Sequence, residues 1–134
     1  MTDNASIARE LFDCFNRRDW DGYTKLLHPD CSYTGGDGEP MPGPEANLAV
    51  AKMFAGAMSD ARIVVTNQLT SDDTVITEFI GSGTHDGALM DIPATGKKVS
   101  MPVCNIIEVR QGKVYAEREY MDIAHLMRQI GVLP

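Results

Sequence analysis

Two short turns fix the frame of this chain. Asp72-Asp73 and Gln111-Gly112 each separate runs in which apolar and polar residues alternate, the pattern of strands joined as hairpins. They divide the second half into four predicted strands, 61–69, 74–86, 98–110 and 113–121. The segment 87–97, with Pro93 and Gly96, is a loop between the second and third.

The first half is different. Ile7, Leu11, Phe12 and Phe15 recur at helical spacing and predict a helix over 4–17. Asp19 caps a second short helix carrying Trp20, Tyr23, Leu26 and Leu27, which His28-Pro29-Asp30 stops. A short strand, Cys31 to Thr34, precedes a loop from Gly35 to Pro44 rich in glycine and proline. Pro44-Glu45 opens a third helix whose buried stripe is Ala46, Ala49, Val50, Met53, Phe54 and Ala57. A last helix begins at Asp122, runs through Ile123, Leu126, Met127 and Ile130, and ends at Gly131. Segregated helices and strands indicate an α+β fold, with 1–134 as a single domain. Long twisted strands curl, and a curled sheet closed on one side by helices encloses a cavity suited to a small molecule.

Charge and composition narrow the partner. The net charge is −7 without a basic cluster, so no nucleic acid is expected. No apolar run is long enough to span a membrane, and Met1-Thr2-Asp3-Asn4 does not begin a signal peptide. Cys14, Cys31 and Cys104 lack paired spacing, which suits reduced thiols and a cytoplasmic protein. His28, His85 and His125 lack metal-ligand spacing, and the glycines at 35, 36 and 38 do not form a phosphate loop. The expectation is no metal, no cofactor, and an apolar small molecule or a second copy of the chain as partner.

The order of several short segments carries a resemblance. Arg18-Asp19-Trp20-Asp21 and His28-Pro29-Asp30 come early, Gly83-Thr84-His85-Asp86-Gly87 and Pro93-Ala94-Thr95-Gly96-Lys97 in the middle, and Gly112-Lys113-Val114 late. Tyr120-Met121-Asp122 and Arg128-Gln129-Ile130-Gly131 close the series. Over nearly its whole length the chain resembles the SnoaL-like (polyketide cyclase-type) branch of the NTF2-like superfamily. The resemblance implies a cystatin-like conical barrel with a deep pocket, and a homodimer formed through the sheet. By it, Asp122 matches the acid/base aspartate of the cyclases, with Gln129 downstream, and His85 matches a frequent family histidine. In ketosteroid isomerases the oxyanion tyrosine falls at Leu11 and the base at Gly35. In limonene-type epoxide hydrolases Glu119 stands for the catalytic acid and Tyr33 for the tyrosine. Their bridging arginine falls at Phe79, the second carboxylate at Gly81 and the asparagine at Gly35.

The residues themselves support proton-transfer chemistry. A carboxylate at the inner end of a strand, Asp122, can remove an α-proton or protonate an alkoxide. Acting as an acid near neutrality requires deep apolar burial. Asp122 can equally cap the last helix by accepting from the amide of Ala124 or His125. His85, among small neighbours, can shuttle a proton or bond a loop carbonyl. Arg118, Tyr120 and Asp122 share strand parity, and Glu119 faces the other way unless a bulge intervenes. Asn105, among Val103, Ile106 and Ile107, can bind a carbonyl or satisfy backbone. Tyr33 is the best oxyanion donor. Tyr23 and Trp20 sit near the mouth, and Phe79, Met101 and Met121 line or plug the pocket. Three readings follow: a cofactor-independent enzyme of aldol cyclisation, isomerisation or dehydration on an apolar carbonyl compound; a limonene-type epoxide hydrolase; and a non-catalytic binding or dimerisation module.

Overall fold

The computed structural model describes residues 3–134. Met1 and Thr2, part of the segment read for a signal peptide, lie outside the described residues. Helix α1 (Asn4–Arg17) starts under an Asp3 cap that accepts from the Ser6 amide, and buries Ile7, Leu11, Phe12 and Phe15. It ends at Arg18 in the left-handed region, φ 60°. That turn aims the guanidinium at the carbonyls of Phe15, Ser59 and Ala61, tying the helix end to the segment before the first long strand. Asp19 then caps α2 (Trp20–Lys25) by accepting from the Gly22 amide.

Strand β1 (Leu27–Thr34) begins earlier than the sequence suggested. His28-Pro29-Asp30 lies within it as an irregular stretch: the pairing shifts between Leu27 and Ser32. The expected loop after it contains a further strand, β2 (Pro40–Pro42), paired antiparallel to β1. Two prolines are tolerated there because β2 is an edge strand. Helix α3 (Pro44–Ala57) carries proline in its first turn. Its buried face is rotated from the expected stripe: Asn47 and Ala51 are buried, whereas Ala49 is exposed. The rotation follows from a polar contact made by Asn47, described below.

Strands β3 (Arg62–Ser71), β4 (Thr74–Thr84), β5 (Lys98–Arg110) and β6 (Lys113–Tyr120) form the predicted antiparallel meander. The sheet order is β2-β1-β6-β5-β4-β3, with β1 parallel to β6. It is a curled, unclosed α+β sheet packed on the N-terminal helices. On β5 the alternation is regular: Val99, Met101, Val103, Asn105, Ile107 and Val109 all point inward and are buried.

On β6 the alternation breaks. Glu108 pairs with Ala116, but Val109 pairs with Val114, so Tyr115 is an extra residue. Such a bulge switches which residues face the core. Val114 is buried, and beyond the bulge Glu117 and Glu119 face inward while Arg118 and Tyr120 face outward.

Strand β4 stops at Thr84, so His85 opens a loop instead of lying on a strand. The loop is bonded back on itself: His85 donates to the Lys97 carbonyl, and the amides of Thr95 and Gly96 donate to the His85 carbonyl. It lies against the end of α3, where the Gly87 amide donates to Ala57. A Cβ at Gly87 would sit 2.1 Å from the Gly56 carbonyl oxygen, so only glycine fits. Helix α4 (Ile123–Gln129) packs on β5, with Gln129 accepting from the Ser100 amide. None of the helices among the described residues is long and apolar enough to cross a membrane.

Candidate functional site

Between the sheet and α1–α3 lies a cavity of about 100 Å³. Its walls are apolar: Phe12 and Phe15 from α1, Val50 and Phe54 from α3, Phe79 from β4, Met101 and Val103 from β5, with Met58, Met121 and Leu126. An apolar cavity of about 150 Å³ takes benzene. This one is smaller, so a one-ring ligand enters only as flexible walls move, and methionines move readily.

Apart from Arg62 and Ser82, the polar residues of the lining are joined to one another. Tyr23 Oη donates to Asn47 Oδ1 at 2.7 Å, and Asn47 Nδ2 donates to Glu117 Oε1 at 2.8 Å. Asn105 Nδ2 donates to Glu117 Oε2 at 2.7 Å and to Glu119 Oε2 at 3.0 Å. Tyr33 Oη donates to Glu119 Oε1 at 2.7 Å. The chain of bonds joins α2, α3, β6, β5 and β1. Each carboxylate oxygen accepts one bond, and every donor is neutral.

Strand register explains the meeting. Tyr33 is the partner of Glu117 on β1, and Asn105 and Ile107 are the partners of Glu119 and Glu117 on β5. Glu117 is 3% exposed, while Glu119 is half-buried and lines the cavity. Burial pushes the Glu117 carboxyl up to about 8, and the charge of Glu119 pushes in the same direction. Burial raises Glu119 too, against the opposing bonds from Tyr33 and Asn105. The Tyr33 phenol is pushed far above its ordinary range, by burial first and the Glu119 charge second, so it stays a donor. An arrangement of this kind can hold a proton near neutrality, take one from a carbon acid, and donate a hydrogen bond to an oxygen.

The sequence expectations divide. Tyr33, Tyr23, Phe79, Met101 and Glu119 line the cavity. Asn105 is fully buried and does not itself line it, but it bridges the two carboxylates that do. Trp20 packs edge-on against Phe15 and Tyr23, behind the wall.

Four expected site residues lie elsewhere. Asp122 is an N-cap: its carboxylate accepts from the His125 amide at 3.1 Å, and its side chain is 66% exposed. The β6 bulge and the end of the strand at Tyr120 place it outside the cavity. Arg118 donates to Glu108 on the outer face, and Tyr120 is 55% exposed there. His85 is buried in its loop with Nδ1 2.9 Å from Thr95 Oγ1, and it does not line the cavity.

Glu117 and Asn47 were not among the sequence candidates. The available signals were two acids two apart on one strand and an asparagine on an otherwise apolar helix face. Among the described residues, no three His, Cys, Asp or Glu side chains are grouped as metal ligands.

Comparison with known proteins agrees with this architecture. Residues 5–130 match the family model described as SnoaL-like polyketide cyclase. A curated relative, the aklanonic acid methyl ester cyclase DnrD of Streptomyces peucetius, is 24% identical over 98% of this chain and 92% of its own length. The solved structure of IdmH from Streptomyces antibioticus is 25% identical, with a TM-score of 0.85 over 98% of this chain and 100% of that one. An NTF2-like protein from Burkholderia pseudomallei, 19% identical, superposes with a TM-score of 0.81 over 98% of this chain and 99% of its own.

Proposed function

The chain belongs to the SnoaL-like polyketide cyclase family, and on that premise we propose that it is a cofactor-independent enzyme moving protons on an apolar carbonyl compound. Aldol cyclisation, isomerisation and dehydration all begin with removal of a proton next to a carbonyl. One observation carries the proposal: two buried carboxyl groups, Glu117 and Glu119, bonded to neutral donors at the polar part of an apolar cavity. Glu119 is the base. Tyr33 and Asn105 hold its carboxylate in place, and the same two bonds favour its ionised form over that of a bare buried acid. The aromatic and methionine walls exclude water and select an apolar body.

Two further parts of the proposal concern setting. The protein acts as a homodimer through the outer face of the sheet, where Leu69, Ile76 and Ile106 form an apolar row with Arg118 at its end. It works in the cytoplasm, which suits three free cysteines.

The test is proton exchange. The protein is incubated with small cyclic ketones and enones in deuterated water, and loss of α-protons is followed by proton NMR. Exchange in the wild type that Glu119→Gln reduces by ~100-fold or more supports the reading. Exchange equal in both proteins, or no faster than buffer, rejects it.

A second reading rests on the same paired carboxylates: activation of water against an epoxide, with Tyr33 donating to the opening oxygen. In a limonene-type enzyme an arginine bridges the acids; in this chain the amide of Asn105 does so. Formation of a diol from a small cyclic epoxide distinguishes this reading from α-proton exchange.

A further inference from the structure

The proton-transfer reading leaves open which group supplies the proton that the carbonyl oxygen gains. We infer that Glu117 and Glu119 are one bifunctional pair, in which Glu119 removes the α-proton while Glu117 delivers its own proton to the carbonyl oxygen. The inference rests on the proposed function above and deepens it.

The electrostatics require a proton in the pair. Facing the two carboxyl groups are Tyr23 from α2, Tyr33 and Cys31 from β1, Asn47 from α3 and Asn105 from β5. From α1 come Phe12 and Phe15. None of these is a cation. Arg62 on β3 borders the cavity, but it pairs with Ser82 and through it with Ser100, five residues along β5 from Asn105. That is about 16 Å of strand. Two adjacent carboxylates without a counter-ion do not both stay ionised in an apolar surround.

Geometry assigns the proton. Glu117 is the more deeply buried, so ionisation costs it more. Glu119 is the one that accepts from a phenol, Tyr33. Asn105 Nδ2 lies within hydrogen-bond distance of both carboxyl groups, which holds them side by side.

The step balances. Glu119 carboxylate takes the α-proton; the C–H pair becomes the C=C bond of an enol; the carbonyl π pair takes the proton of Glu117. The pair ends with its proton on Glu119 and its total charge unchanged. No charge is created or lost in the buried site, which is what a carboxyl pair with no cation beside it demands. Running the step in reverse at another carbon gives isomerisation. Attack of the enol carbon on a second carbonyl, with the Glu119 proton passing to the new alkoxide and the enol proton returning to Glu117, gives aldol closure.

Two measurements on the full chain test this. Infrared spectroscopy reads a protonated carboxyl directly, and cyclohexanone α-proton exchange in deuterated water reads catalysis as a function of pH. The expected results are a protonated-carboxyl band at neutral pH that Glu117→Gln removes, and a bell-shaped rate profile. Glu117→Gln loses the high-pH limb and falls by ~100-fold or more, and Glu119→Gln loses the low-pH limb. If Glu117→Gln fails to fold, Glu117→Met removes the carboxyl without adding donors. A wild-type rate and unchanged profile in the Glu117 variant, or a band that survives it, overturns the pair and leaves the base Glu119 standing. Absence of exchange in the wild type rejects the proton-transfer reading itself, and the pair's catalytic role with it.

Discussion

Glu117 and Glu119 meet at one atom: Asn105 Nδ2 lies 2.7 Å from an oxygen of the first and 3.0 Å from an oxygen of the second. Two side chains on the same face of one strand are thereby held by a donor from its neighbour. Stability and activity therefore respond together to their protonation.

Stability falls as pH rises from about 4.5 to about 8. The Glu117 carboxyl has an ordinary value of 4.5 and is pushed up to about 8 in the folded chain, by burial first and by Glu119 second. Between those values the folded state binds more protons than the unfolded one. Its contribution is then fully present below 4.5 and lost as pH rises through the folded value. The loss is on the order of a few kcal/mol. Denaturant midpoints measured from pH 4.5 to 9 should show this decline. Glu117→Gln should flatten it and be the more stable protein at pH 9. A wild-type midpoint that is flat or rises over that range contradicts the burial of an ionisable pair.

Tyr33→Phe removes the phenol that donates to Glu119 Oε1. The Glu119 carboxylate loses one of its two bonds, its proton affinity rises, and the low-pH limb of the rate profile should move to higher pH. A lost bond to a charged group costs about 1.5–3 kcal/mol, or roughly 10- to 150-fold in rate where the bond matters most in the transition state. The proton-exchange rate against pH, in wild type and variant, checks both the shift and the loss.

Much of the fold was legible in the sequence because its signals are local. The hairpin turns, the α1 stripe, the caps at Asp19 and Asp122 and the alternation of β5 depend on neighbours in the chain. The site was legible only in part, because its geometry turns on one extra residue in β6. Counting by twos from Val114 brings Arg118, Tyr120 and Asp122 inward; the bulge at Tyr115 brings in Glu117 and Glu119 instead. Alternation fixes relative facing, but the register is set by pairing with β5 across the Gln111-Gly112 turn, where one extra residue at Tyr115 leaves no mark in the apolar-polar pattern of β6 itself. The same limit hid β2, whose prolines read as loop, and Asn47, whose partner is 70 residues distant.

The outer face of the sheet predicts the oligomer. Leu69, 59% exposed, is in register with Ile76 and Ile106, and Tyr120 with Cys104 on the adjoining row. Burial of such residues against a second copy is the expected outcome. Sedimentation at micromolar concentration should give twice the chain mass, and Tyr120→Glu should shift the protein toward the monomer without touching the cavity. A monomeric wild type removes the dimer from the proposal.

Asp122 and Glu119 offer the sharpest contrast between position in sequence and position in space. Three residues apart, one caps α4 in solvent and the other lines the cavity. Asp122→Ala should cost ~1 kcal/mol, the ordinary effect of losing an N-cap, and leave the exchange rate within about twofold. Asp122→Asn, which still caps, should cost less. Glu119→Gln should do the reverse, with a large loss of rate and a folded protein. Thermal unfolding and α-proton exchange on the three variants check this pattern. A large loss of rate in a folded Asp122→Asn would mean that the last turn moves to bring Asp122 into the cavity when substrate binds, and the base would then have to be reassigned.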